Sequence, residues 1–185
     1  MIKMKLFIST FVFYLALNSF VIACDLLSID IGGDKSKVEE YVGGGFGDEV
    51  EVDEDEVDED EVKPSVIIAS GDIENFCKSG IFGFAEFKAY IADDKIAGVA
   101  IEVSNGAGNE ESKKKLLYKY VVSKFGAIEN SDKANWTGYK VWQVGGKEVI
   151  YYKMLDQKKY IIEELQVTNS KFRDYIIVAD ELGYD

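Results

Sequence analysis

Apolar positions change their spacing several times along the chain, and each change marks an element. Residues 6–17 are almost continuously apolar. Residues 25–63 show scattered apolar positions with no period, and regular patterning starts after Pro64, the single proline. "VIIAS", residues 66–70, reads as a short strand or a buried plug. "GDIENFCKSG" reads as a turn and a short helix with Asp72 as its N-cap. "FGFAEFKAYIA" alternates as a strand does, with Phe84, Glu86, Lys88 and Tyr90 on one face and Ala85, Phe87, Ala89 and Ile91 on the other. "DDK" is a hairpin turn, and "IAGVAIEVS" returns with Val99, Ile101 and Val103 on one side.

"NEESKKKLLYKYVVSKFG" carries the clearest helical period. Asn109 stands at the N-cap, and Glu110 and Glu111 suit the positive end of the macrodipole. Glu110 with Lys114, and Glu111 with Lys115, fall at i,i+4 spacing. Leu117, Val121 and Phe125 form one stripe, and Gly126 is a glycine stop. "GYKVWQV", a Gly145–Gly146 turn, "KEVIYYKML", a turn at "DQK" and "KYIIEELQV" then predict a meander. The closing "DYIIVADELGYD" adds a sixth strand or a docking tail. The expected fold is α+β: a two-layer antiparallel sheet of about five strands on one long helix, in the order β-β-α-β-β-β.

Composition divides the chain into residues 1–23, 24–63 and 64–185. The net charge is −13, and residues 25–63 hold 16 acidic and three basic side chains, so the domain after Pro64 is nearly balanced. The acidic run contains EVDED twice, at residues 51–55 and 56–60. Like charges at that density repel and bury little, so residues 24–63 are expected to form a flexible, disordered acidic tether, with short ordered pieces near Val38 to Val42. The run has no glycine for a calcium-loop turn, and nothing in the domain attracts nucleic acid electrostatically.

Residues 1–23 have a basic start, an apolar stretch and small residues before Cys24, the layout of a secretory signal peptide. Val21, Ile22, Ala23 and Cys24 resemble the lipobox of bacterial lipoproteins. That resemblance implies a diacylglycerol on the Cys24 sulfur, export, and attachment to a membrane of the cell envelope, on its periplasmic or extracellular side. Cleavage at the same place by an ordinary signal peptidase would instead leave Cys24 free to pair with Cys77. With Cys24 lipidated, Cys77 would be a buried structural thiol. The hairpin, the helix ending "KFG" and the Trp-bearing meander are similar in outline, over about half the chain, to inhibitor domains of the β-lactamase inhibitory protein class.

The chain has no His and two Cys, which removes Ser–His and Cys–His nucleophiles and thiolate zinc sites. No P-loop or nucleophile elbow is present, and no cofactor or metal is expected. Glu163 and Glu164 point to opposite faces if they lie in a strand. The remaining lead is aromatic: Trp142, Tyr151 and Tyr160, with Val144, Val149 and Ile162, can be placed on one face of the meander as a partner-binding surface. The competing account makes that face core, covered by residues 65–83 and the C-terminal tail. The expectation is an exported, lipid-anchored protein whose domain binds a protein partner, in an inhibitor- or immunity-like role for instance. The alternatives are an envelope scaffold without a dedicated ligand, or an enzyme using carboxylates and tyrosines.

Overall fold

The computed structural model describes residues 24–46, 66–78, 80–131 and 136–177. The proposed signal segment, the whole acidic repeat and the last residues lie outside that set. The described residues after Pro64 form β1 (Ile67–Asp72), α1 (Ile73–Phe76), β2 (Ala85–Ala92), β3 (Lys95–Val103), α2 (Glu110–Lys113), α3 (Leu116–Phe125), β4 (Gly138–Val144), β5 (Lys147–Leu155) and β6 (Ile161–Thr168), followed by a helical turn. All strand pairs are antiparallel, and the sheet order is β1-β2-β3-β6-β5-β4. Two three-stranded meanders therefore meet at the β3–β6 seam, and the helices occupy the connection between them. The α+β class stands, with six strands rather than five, because "VIIAS" pairs with β2 from Ile67 onward.

The long helix is not continuous. Lys115 takes a left-handed φ of 55°, which separates α2 from α3. The cause is a tether on the first turn: Asn105 accepts from the Ser112 N–H at 2.9 Å and donates to the Ser112 hydroxyl at 2.9 Å. Asn109 is left-handed and makes no cap bond with its side chain. The helical ion pairs run at i,i+3, Lys113 with Glu110 and Lys114 with Glu111, rather than at i,i+4. Gly126 ends α3 with a φ of 102°, a backbone that glycine takes without strain.

Cross-strand register sorts the side chains into two faces. Ala89, Val99, Val167, Val149 and Trp142 form one transverse row of the inner face, and Phe87, Ile101, Leu165 and Tyr151 form the next. The outer face carries Tyr90, Lys88, Gln166, Glu164 and Glu148 at the intervening positions. The inner face is covered by α3, by α1 and by residues 24–46. Phe76 and Tyr41 pack on Phe87, with ring centroids 5.0 and 5.4 Å away, and Phe125 packs on Trp142 at 5.6 Å.

Residues 24–46 correct the tether expectation. Leu26, Ile29, Ile31, Val38 and Val42 are buried in the same core as the sheet. Asp25 and Asp34 cap short 3-10 turns, Leu26–Ser28 and Lys35–Lys37. The Lys147 ammonium donates to the Leu27 and Ile29 carbonyls at 2.6 and 2.5 Å. Gly32 and Gly33 exchange backbone bonds with Ile96, stitching the segment to β3. Net acidity gave the impression of a solvated spacer, but the buried residues here number few charges among them. The remainder of the tether expectation, residues 47–63, falls outside the described residues.

The C-terminal segment docks as a helical turn at residues 173–177 rather than as a strand. It lies on the outer face, where a Cβ on Gly98 would come within 2.2 Å of Ile176 Cδ1. Arg173 pairs with Glu148 beneath it.

Candidate functional site

Cys24 and Cys77 are joined in a disulfide. Both lie in the core, and Cys24 is fixed further by its carbonyl, which accepts from the Tyr120 hydroxyl at 2.9 Å. Burial lifts the Tyr120 phenol above its ordinary range, so it remains a donor there. Asp25 pairs with Lys124 at 2.5 Å on the same helix. A sulfur in a disulfide has no valence left for a diacylglycerol thioether. This covalent form and a lipidated Cys24 therefore exclude each other, and in it Cys77 is the partner of Cys24 rather than a lone thiol. Among the described residues no helix is long and apolar enough to cross a membrane.

The aromatic face also comes out differently. Tyr151 is fully buried, 0% exposed, on the inner face. Trp136 stacks parallel to it at 6.2 Å, and Tyr118 lies 6.3 Å away. Trp142 is half-buried under Phe125. Tyr151 is core and Trp142 packs partly buried against the core, under α3 and Trp136 rather than residues 65–83. Tyr160 is half-buried and sits in the β5–β6 loop, outside either strand. That loop pairs Leu155 with Ile161, so Ile161 joins the Tyr151 face and Ile162 the opposite one.

Glu163 and Glu164 do point to opposite faces. Glu163 accepts from the Tyr151 hydroxyl at 2.9 Å, and its second oxygen has no hydrogen-bond partner among the described residues. Burial, then the neighbouring Glu163, pushes the Tyr151 phenol far above the usual tyrosine range. On the outer face Glu164 accepts from the Tyr90 hydroxyl at 3.2 Å, and the Lys88 ammonium lies between Glu102 and Glu164. These carboxylates each bond within their own face of the sheet and do not converge on a common cavity. A cleft of about 550 Å³ lies instead at the outer corner of β1 and β2, lined by Asp72, Glu74, Phe84, Glu86, Ser104 and Lys114. Three of its four charged groups already have partners: Asp72 caps α1, Glu86 accepts from the Ser104 hydroxyl at 3.4 Å, and Lys114 pairs with Glu111.

The feature that the sequence reading missed is the tip of the β5–β6 hairpin. The register carries this hairpin past the last common row of the sheet, Glu86–Glu102–Glu164–Tyr152. Met154 and Leu155 stand there 45% and 53% exposed. The loop below them is braced from within and from outside. Asp156 accepts from the Tyr160 N–H at 2.7 Å. Asn109 accepts from the Ile161 N–H at 2.7 Å and donates to the Lys159 carbonyl at 3.1 Å, and Asn105 donates to the Ile161 carbonyl at 2.8 Å. The positive φ of Lys159, 64°, is held by this bonding. Two asparagines flanking "GAG" were the available signal; their partners lie some 50 residues away in sequence.

No family model matches the chain, and no curated protein or solved structure matches it either. Function is therefore argued from the geometry alone.

Proposed function

We propose that the chain is exported into an oxidising compartment of the cell envelope, and that its domain binds another protein through the β5–β6 hairpin tip. The disulfide supports the first half, since such bonds persist outside the reducing cytosol. The braced tip supports the second and carries the reading. Two adjacent large apolar side chains stand in solvent at the end of β5, on opposite faces of the strand, beside a loop whose backbone is already fixed by Asn105, Asn109 and Asp156. Preorganisation of this kind reduces the ordering cost of association. Lys153, Lys158 and Lys159 flank the tip in sequence. The partner that fits is an apolar pocket with an acidic rim, as in an inhibitor- or immunity-like complex.

The test is affinity capture from envelope fractions with the wild-type protein and with Leu155→Asp and Met154→Asp. A stoichiometric partner is expected with the wild type and absent with both variants, while circular dichroism and thermal unfolding stay unchanged. A partner that both variants retain overturns the proposal for the tip. Intact mass of the exported protein tests the covalent state. A chain starting at Cys24 and lighter than its reduced form by a pair of hydrogens supports the reading, and a diacylglycerol-sized addition sinks it.

A further inference from the structure

Among the described residues the sheet has two edge strands, β1 and β4. On the inner face of β1 the backbone of Tyr41 and Val42 lies directly over Gly71, the partner of Phe87, so this segment covers that face of the strand. Beyond β4 there is no described strand. Natural edges are commonly blunted by proline, bulges or several charges. β4 has one lysine, no proline and unbroken register with β5.

The hydrogen-bonding parity of this edge follows from the turn. Gly145 and Gly146, with φ of 58° and 81°, form a two-residue loop, so Val144 and Lys147 are a hydrogen-bonded pair. Alternation then makes Trp142–Val149 and Lys140–Tyr151 hydrogen-bonded pairs as well. Tyr139, Val141 and Gln143 therefore direct their N–H and C=O groups outward. All three are exposed, Tyr139 at 74%.

We infer that β4 pairs with β4 of a second copy, antiparallel about a twofold axis at Val141, to form a continuous twelve-strand sheet. This register uses every outward group: Val141 faces its own mate, and Tyr139 faces Gln143 of the other copy. On the opposite face Lys140 comes beside the Trp142 indole of the other copy, a favourable cation–π arrangement. An axis at Lys140 would set two lysines against each other. An axis at Trp142 would leave Tyr139 hanging past the end of the partner strand. The sequence of the edge is thus self-complementary in one register. A seven-residue strand alone buries less than the ~1,200 Å² of a stable interface. The dimer is accordingly transient, in the micromolar range. The full chain carries −13 and its first 23 residues hold only basic charges, so each exported copy is strongly acidic and added salt strengthens the dimer by screening repulsion.

Sedimentation equilibrium of the disulfide-bonded exported protein reads the association, at low and moderate salt. The expected result is a monomer–dimer equilibrium that Val141→Lys abolishes without changing thermal unfolding. Register is read by cysteine cross-linking under mild oxidation. Val141→Cys links to its own mate, because hydrogen-bonded antiparallel pairs bring Cα atoms to about 5.5 Å. Tyr139→Cys alone does not, whereas Tyr139→Cys mixed with Gln143→Cys does. A wild type that stays monomeric up to about 1 mM overturns the inference. So does a dimer that survives Val141→Lys, or a Tyr139→Cys chain that cross-links as readily as Val141→Cys. Loss of the hairpin-tip partner with Leu155→Asp, at unchanged dimerisation, separates the two surfaces.

Discussion

Removing the Cys24–Cys77 bond should be the most destabilising covalent change available to this fold. The bond spans a sequence separation of 53. Treated as loop closure in the unfolded chain, that separation corresponds to ~4 kcal/mol at room temperature. Both sulfurs are enclosed, Cys77 at 1% exposure, so alanine is a better replacement than serine, which would bury a hydroxyl. In a Cys24→Ala/Cys77→Ala variant, residues 24–46 keep their noncovalent anchors: Leu26 and Val38 in the core, Asp25 on Lys124, and the Lys147 ammonium on two carbonyls. The folded state should therefore persist with a lower midpoint. With a urea m-value of ~2 kcal/mol/M, the expected shift is about 2 M. Oxidised protein, protein reduced with dithiothreitol and the double variant should be compared by urea unfolding, followed by tryptophan fluorescence and circular dichroism. The reduced protein and the variant should coincide. A shift below about 0.5 M in both would mean that the bond is not closing a loop in the unfolded state, and the entropic account would fail. A lowered m-value would report instead that the N-terminal segment has already left the sheet in the native state.

Three further outcomes follow from the packing. Gly71→Ala should cost about 2 kcal/mol, because the new methyl meets the Tyr41–Val42 backbone rather than a yielding side chain; amide exchange in residues 38–46 should rise, and unchanged exchange would count against the close approach. Tyr151→Phe removes the hydroxyl that serves buried Glu163 and should cost about 2 kcal/mol in chemical unfolding, whereas adding Glu163→Leu should recover much of it; additive losses would refute the pairing. Arg173 holds Glu148 below the ordinary 4.5 of a glutamate, so its contribution is complete above that pH and is lost as pH falls through the lowered folded value. Thermal unfolding from pH 7 to 3 should fall less steeply for Glu148→Gln than for wild type, and parallel curves would exclude the linkage.

Much of the framework could be read from local pattern, and the reasons are visible residue by residue. Alternation in β2, β3 and β4 and the turns at Asp93–Asp94 and Gly145–Gly146 depend on neighbours a few positions apart. Asp93 and Asp94 do take positive φ, and Asp72 does cap α1. The stripe of Leu117 and Val121 is buried as its spacing requires. Three things were not legible. The β6 face assignment depends on the parity of the loop from Asp156 to Tyr160, and a one-residue difference in loop length exchanges every side chain between faces. The break at Lys115 depends on Asn105 reaching Ser112. Residues 24–46 have apolar positions without a period, and averaged acidity concealed them.

The sequence by itself determined where strands, turns and the main helix lie, and that histidine and thiolate-metal chemistry are absent, because these properties rest on residue types and short-range spacing. Tertiary structure alone decided that Cys24 meets Cys77, that Tyr151 is core with Trp142 packed beside it, and that Met154 and Leu155 stand out at a braced tip. Each of those outcomes depends on which distant segment covers a given face, and burial is a property of the pair of surfaces rather than of either one. The open β4 edge belongs to the same class: a strand becomes an edge only when the rest of the chain has taken the other positions in the sheet.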